Sequence, residues 1–142
     1  MIEFIWKQPN EDLSDCFACR KTVFCQEQGF SPDGEFDQID GQAIHVLCLH
    51  DGIPCGTARL FWDNKPTIHA GRICLTKEMR GGGNGLLLME ELCKKAKALG
   101  ASRIILGAQC RAKGFYEKAG YHPFGDIFDD EGCPHQMMEK LL

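Results

Sequence analysis

The chain lacks any long apolar run. Its 142 residues contain one apolar stretch near the start, residues 2–6, and Glu3 and Lys7 interrupt it. Neither a secretion signal nor a membrane span is expected from such a pattern. An excess of basic residues is also missing. Sixteen Lys and Arg against 20 Asp and Glu give a formal net charge of −4, which argues against a broad surface for nucleic acid. Cys-x-x-Cys occurs once, at Cys16 and Cys19, with no second pair and no histidines at ligand spacing. No metal is therefore expected. Repeats, low-complexity tracts and linkers are absent, and the length suits a single domain over residues 1–142.

What the chain does have is cysteine, nine in all, odd in number and scattered. Cys48, Cys74 and Cys93 fall at apolar positions of their elements, where a free thiol acts as a small hydrophobe. Free thiols in this number point to a reducing, cytoplasmic compartment.

Period-2 and period-3.6 patterns give the element order. Ile2 to Trp6 reads as a strand. A helix capped by Asn10 follows and ends near Gly29, and residues 29–42 read as a loop carrying Asp33, Glu35, Asp37 and Asp40. Ala43 to His50, Ile53 to Trp62 and Thr67 to Leu75 form an antiparallel meander, with Asp51-Gly52 as a hairpin turn. Leu86 to Leu99 is a helix with a buried stripe of Leu88, Met89, Leu92, Cys93, Ala96 and Leu99, stopped by Gly100. Arg103 to Leu106 is a buried strand, parallel to the one before the helix. A short helix over Ala112 to Ala119 and a hairpin of Tyr121 to Phe128 with Pro134 to Leu141 complete the chain. The fold class is α/β, an α+β mixed sheet that is mostly antiparallel with one parallel pair and carries helices on both faces.

The chain turns on Arg80-Gly81-Gly82-Gly83-Asn84-Gly85, which lies between a strand and a helix. A glycine-rich turn entering a helix offers unpaired N–H groups and a positive dipole end to an anion, and Arg80 adds a permanent positive charge. A Walker loop would need Gly-Lys-Ser/Thr, but Leu86 and Leu87 follow Gly85. A dinucleotide fingerprint begun at Gly81 or Gly83 ends on Leu86 or Leu88. What remains is Arg-x-x-Gly-x-Gly, over Arg80, Gly83 and Gly85.

This loop resembles the coenzyme A pyrophosphate loop of the GNAT (Gcn5-related) N-acetyltransferases. Phe115-Tyr116-Glu117-Lys118-Ala119-Gly120-Tyr121 resembles the same family's Phe-Tyr-x-x-x-Gly segment. Val23-Phe24 with Glu27-Gln28, the acids Glu35, Asp37 and Asp40, Arg72 to Leu75, Ala108-Gln109 and Gly132-x-Pro134-His135-x-x-Met138 resemble the ElaA-like subgroup. Three consecutive glycines depart from the usual loop, and Gln109 stands where many members have Asn.

The resemblance implies the GNAT acyl-CoA N-acyltransferase fold and acetyl transfer from acetyl-CoA to a primary amine by direct attack in a ternary complex. The alternative is an acyl-CoA binding or sensing module without turnover. A small-molecule or protein amine is the expected partner, and an exposed last strand would suit pairing in a homodimer. An alkylammonium with pKa ~10 must lose a proton before it attacks, and the leaving thiolate benefits from an acid. The resemblance implies Tyr116 as that acid. It implies Ile73, Cys74, Leu75, Arg80, Gly81, Gly82, Gly83, Asn84, Gly85, Gln109, Phe115 and Tyr116 as cofactor contacts. Glu27 and His135 are candidates for the base, and Glu27, Asp37, Asp40 and His45 are candidates for the acceptor site.

Overall fold

A computed structural model describes residues 1–142. Seven strands form one sheet in the order β1-β2-β3-β4-β5-β7-β6. They are β1 (Ile2–Lys7), β2 (Ile44–His50), β3 (Ile53–Asn64), β4 (Thr67–Leu75), β5 (Arg103–Gln109), β6 (His122–Asp130) and β7 (Cys133–Leu141). Every neighbouring pair is antiparallel except β4 with β5. The last strand is not the exposed one. β7 lies between β5 and β6, so the edge at this end of the sheet is β6, and β1 forms the other edge.

Alternation assigns the two faces of the sheet. Val46, Cys48, Ala58, Leu60, Ile68 and Ala70 join Leu88, Met89, Leu92 and Ala96 of α3 (Asn84–Ala98) in the main core. The intervening residues of β2 and β3, His45, Thr57 and Arg59, are also buried. α1 (Ser14–Arg20) contacts β2, β3 and β4 and supplies Arg20 opposite Arg59. α1 starts at Ser14 with no side-chain cap, so Asn10 does not cap it. It runs on as π-helix over Lys21–Glu27. The loop expected over residues 29–42 contains two turns of helix, α2 (Pro32–Glu35) and a 3-10 turn at Gln38–Gly41. α4 (Lys113–Lys118) connects β5 to β6.

One departure from regularity shapes the site. β4 and β5 pair at only three positions, Thr67 with Arg103, Ile68 with Ile104 and His69 with Ile105. Beyond these they part, although β4 continues six residues to Leu75 and β5 four residues to Gln109. In the splayed half of β4, Arg72 takes a left-handed φ of 51°, which non-glycine residues rarely adopt. On its other side β4 stays paired to β3. Gly56 is needed there, because a Cβ would lie 2.6 Å from the Cys74 carbonyl oxygen.

Candidate active site

The splay opens two adjoining clefts. The first, about 510 Å³, runs between the end of β4, the glycine-rich loop and α4, along Ile73, Cys74, Leu75, Arg80, Gly81, Gly83, Gly85, Phe115 and Tyr116. The second, about 580 Å³, lies between the parted strands and the π-helix, with Phe24, Phe30, Glu35, Arg72, Gln109, Glu131 and His135 in its walls. Gln28, Ile73, Ala112 and Tyr116 line both. Tyr116 therefore stands where the clefts meet.

In the loop, Gly81, Gly82 and Gly83 all have left-handed φ, at 82°, 64° and 83°. Gly83 is the N-cap of α3. The backbone N–H groups of Gly81, Gly82, Gly83, Gly85 and Leu86 have no acceptor on the chain. They form a short row of unpaired donors at the positive end of a 15-residue helix. Two residues of the loop also have structural partners. Asn84 closes it, its side-chain amide donating to the Met79 carbonyl at 3.1 Å. Gly85 is a packing position, since a Cβ there would lie 2.8 Å from Phe115 Cε1.

Arg80 reaches back rather than outward. Its Nε donates to the Leu75 carbonyl at 3.0 Å and its Nη2 to Glu27 Oε2 at 2.8 Å. The Leu75 carbonyl is thus already satisfied. Glu27, the first base candidate, is salt-bridged to Arg80 and lines neither cleft.

Three other predicted acceptor residues belong to the scaffold. Asp40 Oδ1 accepts from Arg20 at 2.7 Å and from Arg59 at 2.8 Å. Burial pushes the Asp40 carboxyl up, but the two guanidinium groups outweigh it and hold the carboxyl below the usual range. Asp37 accepts two bonds from Arg59, at 2.7 and 3.1 Å, and one from Arg72 at 3.2 Å. Its carboxyl is lowered in the same way, the arginines outweighing burial. His45 is buried, and its Nε2 donates to the Asp40 carbonyl at 3.1 Å. Burial depresses its basicity. None of Asp37, Asp40 and His45 lines either cleft. They hold the loop that carries Glu35, which does line the second one.

Glu35 is bound by Arg20 at 3.0 Å and by Arg72 at 3.2 Å. Burial raises its carboxyl above the usual range despite both cations. Arg72 also donates to the carbonyls of Glu35 and Gly34, at 3.1 and 3.2 Å, which pins α2 across the mouth of the splay. Glu131, in the β6–β7 turn, accepts from the Ser31 N–H at 3.0 Å and ties the hairpin to the same loop. Sequence reasoning missed Gln28, Glu35 and Glu131 as cleft residues. Glu35 stood among the noted acids, but no local pattern marks Glu131, 100 residues from the group it holds.

Gln109 lies on the second cleft, not the first. Its Nε2 donates to Gln28 at 2.7 Å and its Oε1 accepts from Arg111 at 2.8 Å, so both polar atoms are engaged. Cys74 is buried, and burial pushes its thiol well above the ordinary range. Tyr116 packs edge-on against Phe115 at 5.1 Å and Tyr121 at 6.2 Å. Burial pushes its phenol up to about 12, so it is a proton donor rather than a phenolate at neutral pH. His135 is 8% exposed and stacks on Phe128 with ring centroids 5.6 Å apart.

Comparison with known proteins agrees with this geometry. Residues 21–142 match the family profile described as an acetyltransferase (GNAT) domain. The uncharacterized N-acetyltransferase YjcF of Bacillus subtilis is 36% identical over 132 residues, covering 92% of this chain and 93% of its own. The crystal structure of Escherichia coli ElaA superposes with a TM-score of 0.87 at 25% identity, covering 99% of each chain. A Bacillus subtilis acetyltransferase solved in complex with CoA shares the fold, with a TM-score of 0.77, 16% identity, and coverage of 100% of this chain and 99% of that one. A splayed β4–β5 pair beside a glycine-rich helix start, within a sequence that matches the profile from the π-helix to the last strand, makes this chain an enzyme of the GNAT acetyltransferase family.

Proposed function

We propose that this enzyme transfers the acetyl group of acetyl-CoA to a primary amine by direct attack, with both substrates bound at once. The observation that carries this reading is the pair of clefts that meet at Tyr116. One cleft has the donors a pyrophosphate needs, and the other is open to an acceptor.

The fit of the first cleft to coenzyme A rests on this chain's own groups. The loop N–H groups of Gly81, Gly82, Gly83, Gly85 and Leu86 are unpaired, and left-handed glycines let the backbone approach an anion. Arg80 adds charge at the loop's edge. The free side of β4 at Ile73 can accept an extended ligand as a sheet edge accepts a strand. A thioester bound there would supply an activated acetyl group. Tyr116, as a phenol, can protonate the departing sulfur.

Direct transfer is favoured over an acetylated cysteine by the state of Cys74. A buried thiol whose pKa is raised is a poor source of thiolate nucleophile. The second cleft is lined by Asp130 and Glu131 as well as the paired Glu35 and Arg72, a balance that suits a cationic amine. Nine free thiols support a reducing, cytoplasmic setting.

The test is calorimetric titration of acetyl-CoA into the reduced protein, beside Gly83→Asp and Gly83→Asn. Position 83 opens on free space, so the two variants share shape and strain and differ in charge. Saturable binding to wild type that Asp abolishes and Asn only weakens supports the anion cradle. No binding to wild type removes the proposal.

A further inference from the structure

We infer that His135 is the general base that deprotonates the acceptor amine, and that the Cys133 carbonyl sets it in the tautomer this task requires. The inference rests on the proposed acetyl transfer and assigns the step that reading leaves open.

The geometry begins with one hydrogen bond. His135 Nδ1 lies 2.8 Å from the Cys133 carbonyl oxygen. A carbonyl oxygen only accepts, so Nδ1 must carry the proton. In the neutral ring the lone pair then sits on Nε2. No hydrogen bond within the protein uses Nε2. The ring is held by the stack on Phe128, tilted by 27°, and by the register of β7, where His135 faces Gln109 of β5. The residue lines the acceptor cleft together with Tyr116.

The other titratable and charged groups of this cleft are poorer bases. Glu35 is bound by Arg20 and Arg72. Arg72 has no lone pair to offer. Tyr116 is a protonated phenol. Glu131 is tied to the Ser31 N–H, and Asp130 lies on the exposed end of β6.

The protons balance as follows. Nε2 of His135 takes a proton from R–NH3+, giving an imidazolium whose Nδ1–H still donates to Cys133. The amine nitrogen attacks the thioester carbonyl carbon, and an N–C bond forms. The C–S bond breaks, its electron pair leaves on sulfur, and sulfur takes the Tyr116 proton. The surplus proton on the new amide nitrogen returns to the Tyr116 oxygen. The products are the amide, the thiol of coenzyme A and one proton, which His135 releases to water.

Two measurements test this. Long-range 1H–15N spectra of 15N-histidine-labelled protein, assigned by the signals missing in His135→Gln, should show a protonated Nδ1 and a bare Nε2. A protonated Nε2 in the neutral ring overturns the inference. The kinetic arm uses n-butylamine and saturating acetyl-CoA, with product followed by mass. His135→Gln should lower kcat about 100-fold or more, with calorimetric acetyl-CoA affinity unchanged. Added imidazole should restore turnover to His135→Ala, which a purely structural role would not allow. Unchanged kcat in His135→Gln, or no imidazole rescue, removes His135 and leaves the acetyl-transfer reading standing. Failure of wild type to bind acetyl-CoA, or to acetylate the amine once it is bound, removes both.

Discussion

Arg20 and Asp40 form a bond buried inside the protein. Nη1 of Arg20 donates to Oδ1 of Asp40 over 2.7 Å, and their side chains are 1% and 10% exposed. Arg59 shares the same oxygen at 2.8 Å. Removing one member of such a group leaves charges without a partner in a medium that solvates them poorly, at a cost of about 3–5 kcal/mol. Asp40→Asn should therefore lower unfolding free energy by about 3 kcal/mol in urea melts, with a parallel loss of order in the loop that carries Glu35. The pH dependence follows from the lowered carboxyls of Asp37 and Asp40. Their stabilisation is complete above the unfolded aspartate value of ~3.9 and is lost as pH falls through their lower folded values. Wild type should lose stability on that acid side more steeply than Asp40→Asn. Equal slopes would mean that Asp40 is not held ionised.

Tyr116→Phe keeps both aromatic contacts and removes only the hydroxyl. Turnover should fall about 100-fold while calorimetric acetyl-CoA binding persists. A phenol pushed up to about 12 remains protonated where an ordinary tyrosine would ionise. The wild-type rate should therefore not decline between pH 9 and about 11 through loss of this acid. Unchanged turnover in the variant would take Tyr116 out of the chemistry, and absent turnover in wild type would favour an acyl-CoA sensor.

Glu27 holds Arg80 at 2.8 Å, the cation that the proposed cofactor's pyrophosphate would call on. The pair is partly exposed, so its worth to the fold is small, within about 1 kcal/mol. Glu27→Gln should leave the melting temperature within error and tighten acetyl-CoA binding by a few fold, because a local negative charge is gone and Arg80 is freed. Weaker binding would show instead that Glu27 holds Arg80 in the productive place.

The fold was legible where local chemistry decides it. Alternation gave the strands, the apolar stripe of Leu88, Met89, Leu92, Cys93 and Ala96 gave α3, although Leu99, expected in the same stripe, is exposed, and the helix between two strands gave the parallel pair. The glycine-rich loop could be read because its glycines are conformational requirements. The site was less legible because it depends on partners far apart in the chain. Asp37 and Asp40 looked free for a substrate, but Arg20, Arg59 and Arg72 meet them from three separate elements. Gly85 was read as a cofactor contact, and only tertiary structure adds that Phe115 packs against it. In β4 the left-handed residue is Arg72 and not the neighbouring Gly71, so the sequence does not announce it. Over two turns, apolar spacing does not distinguish α from π winding, so the wider coil at Lys21–Glu27 left no mark either.

An open sheet ordinarily has two rims, both reachable by other chains and both an aggregation hazard. Because β4 and β5 part after three residue pairs, this sheet has a third rim folded inside itself. It is reached through the clefts beside it rather than along the outer edges of the sheet. The enzyme thus keeps backbone hydrogen-bonding capacity inside the sheet, away from the two outer edges at β1 and β6.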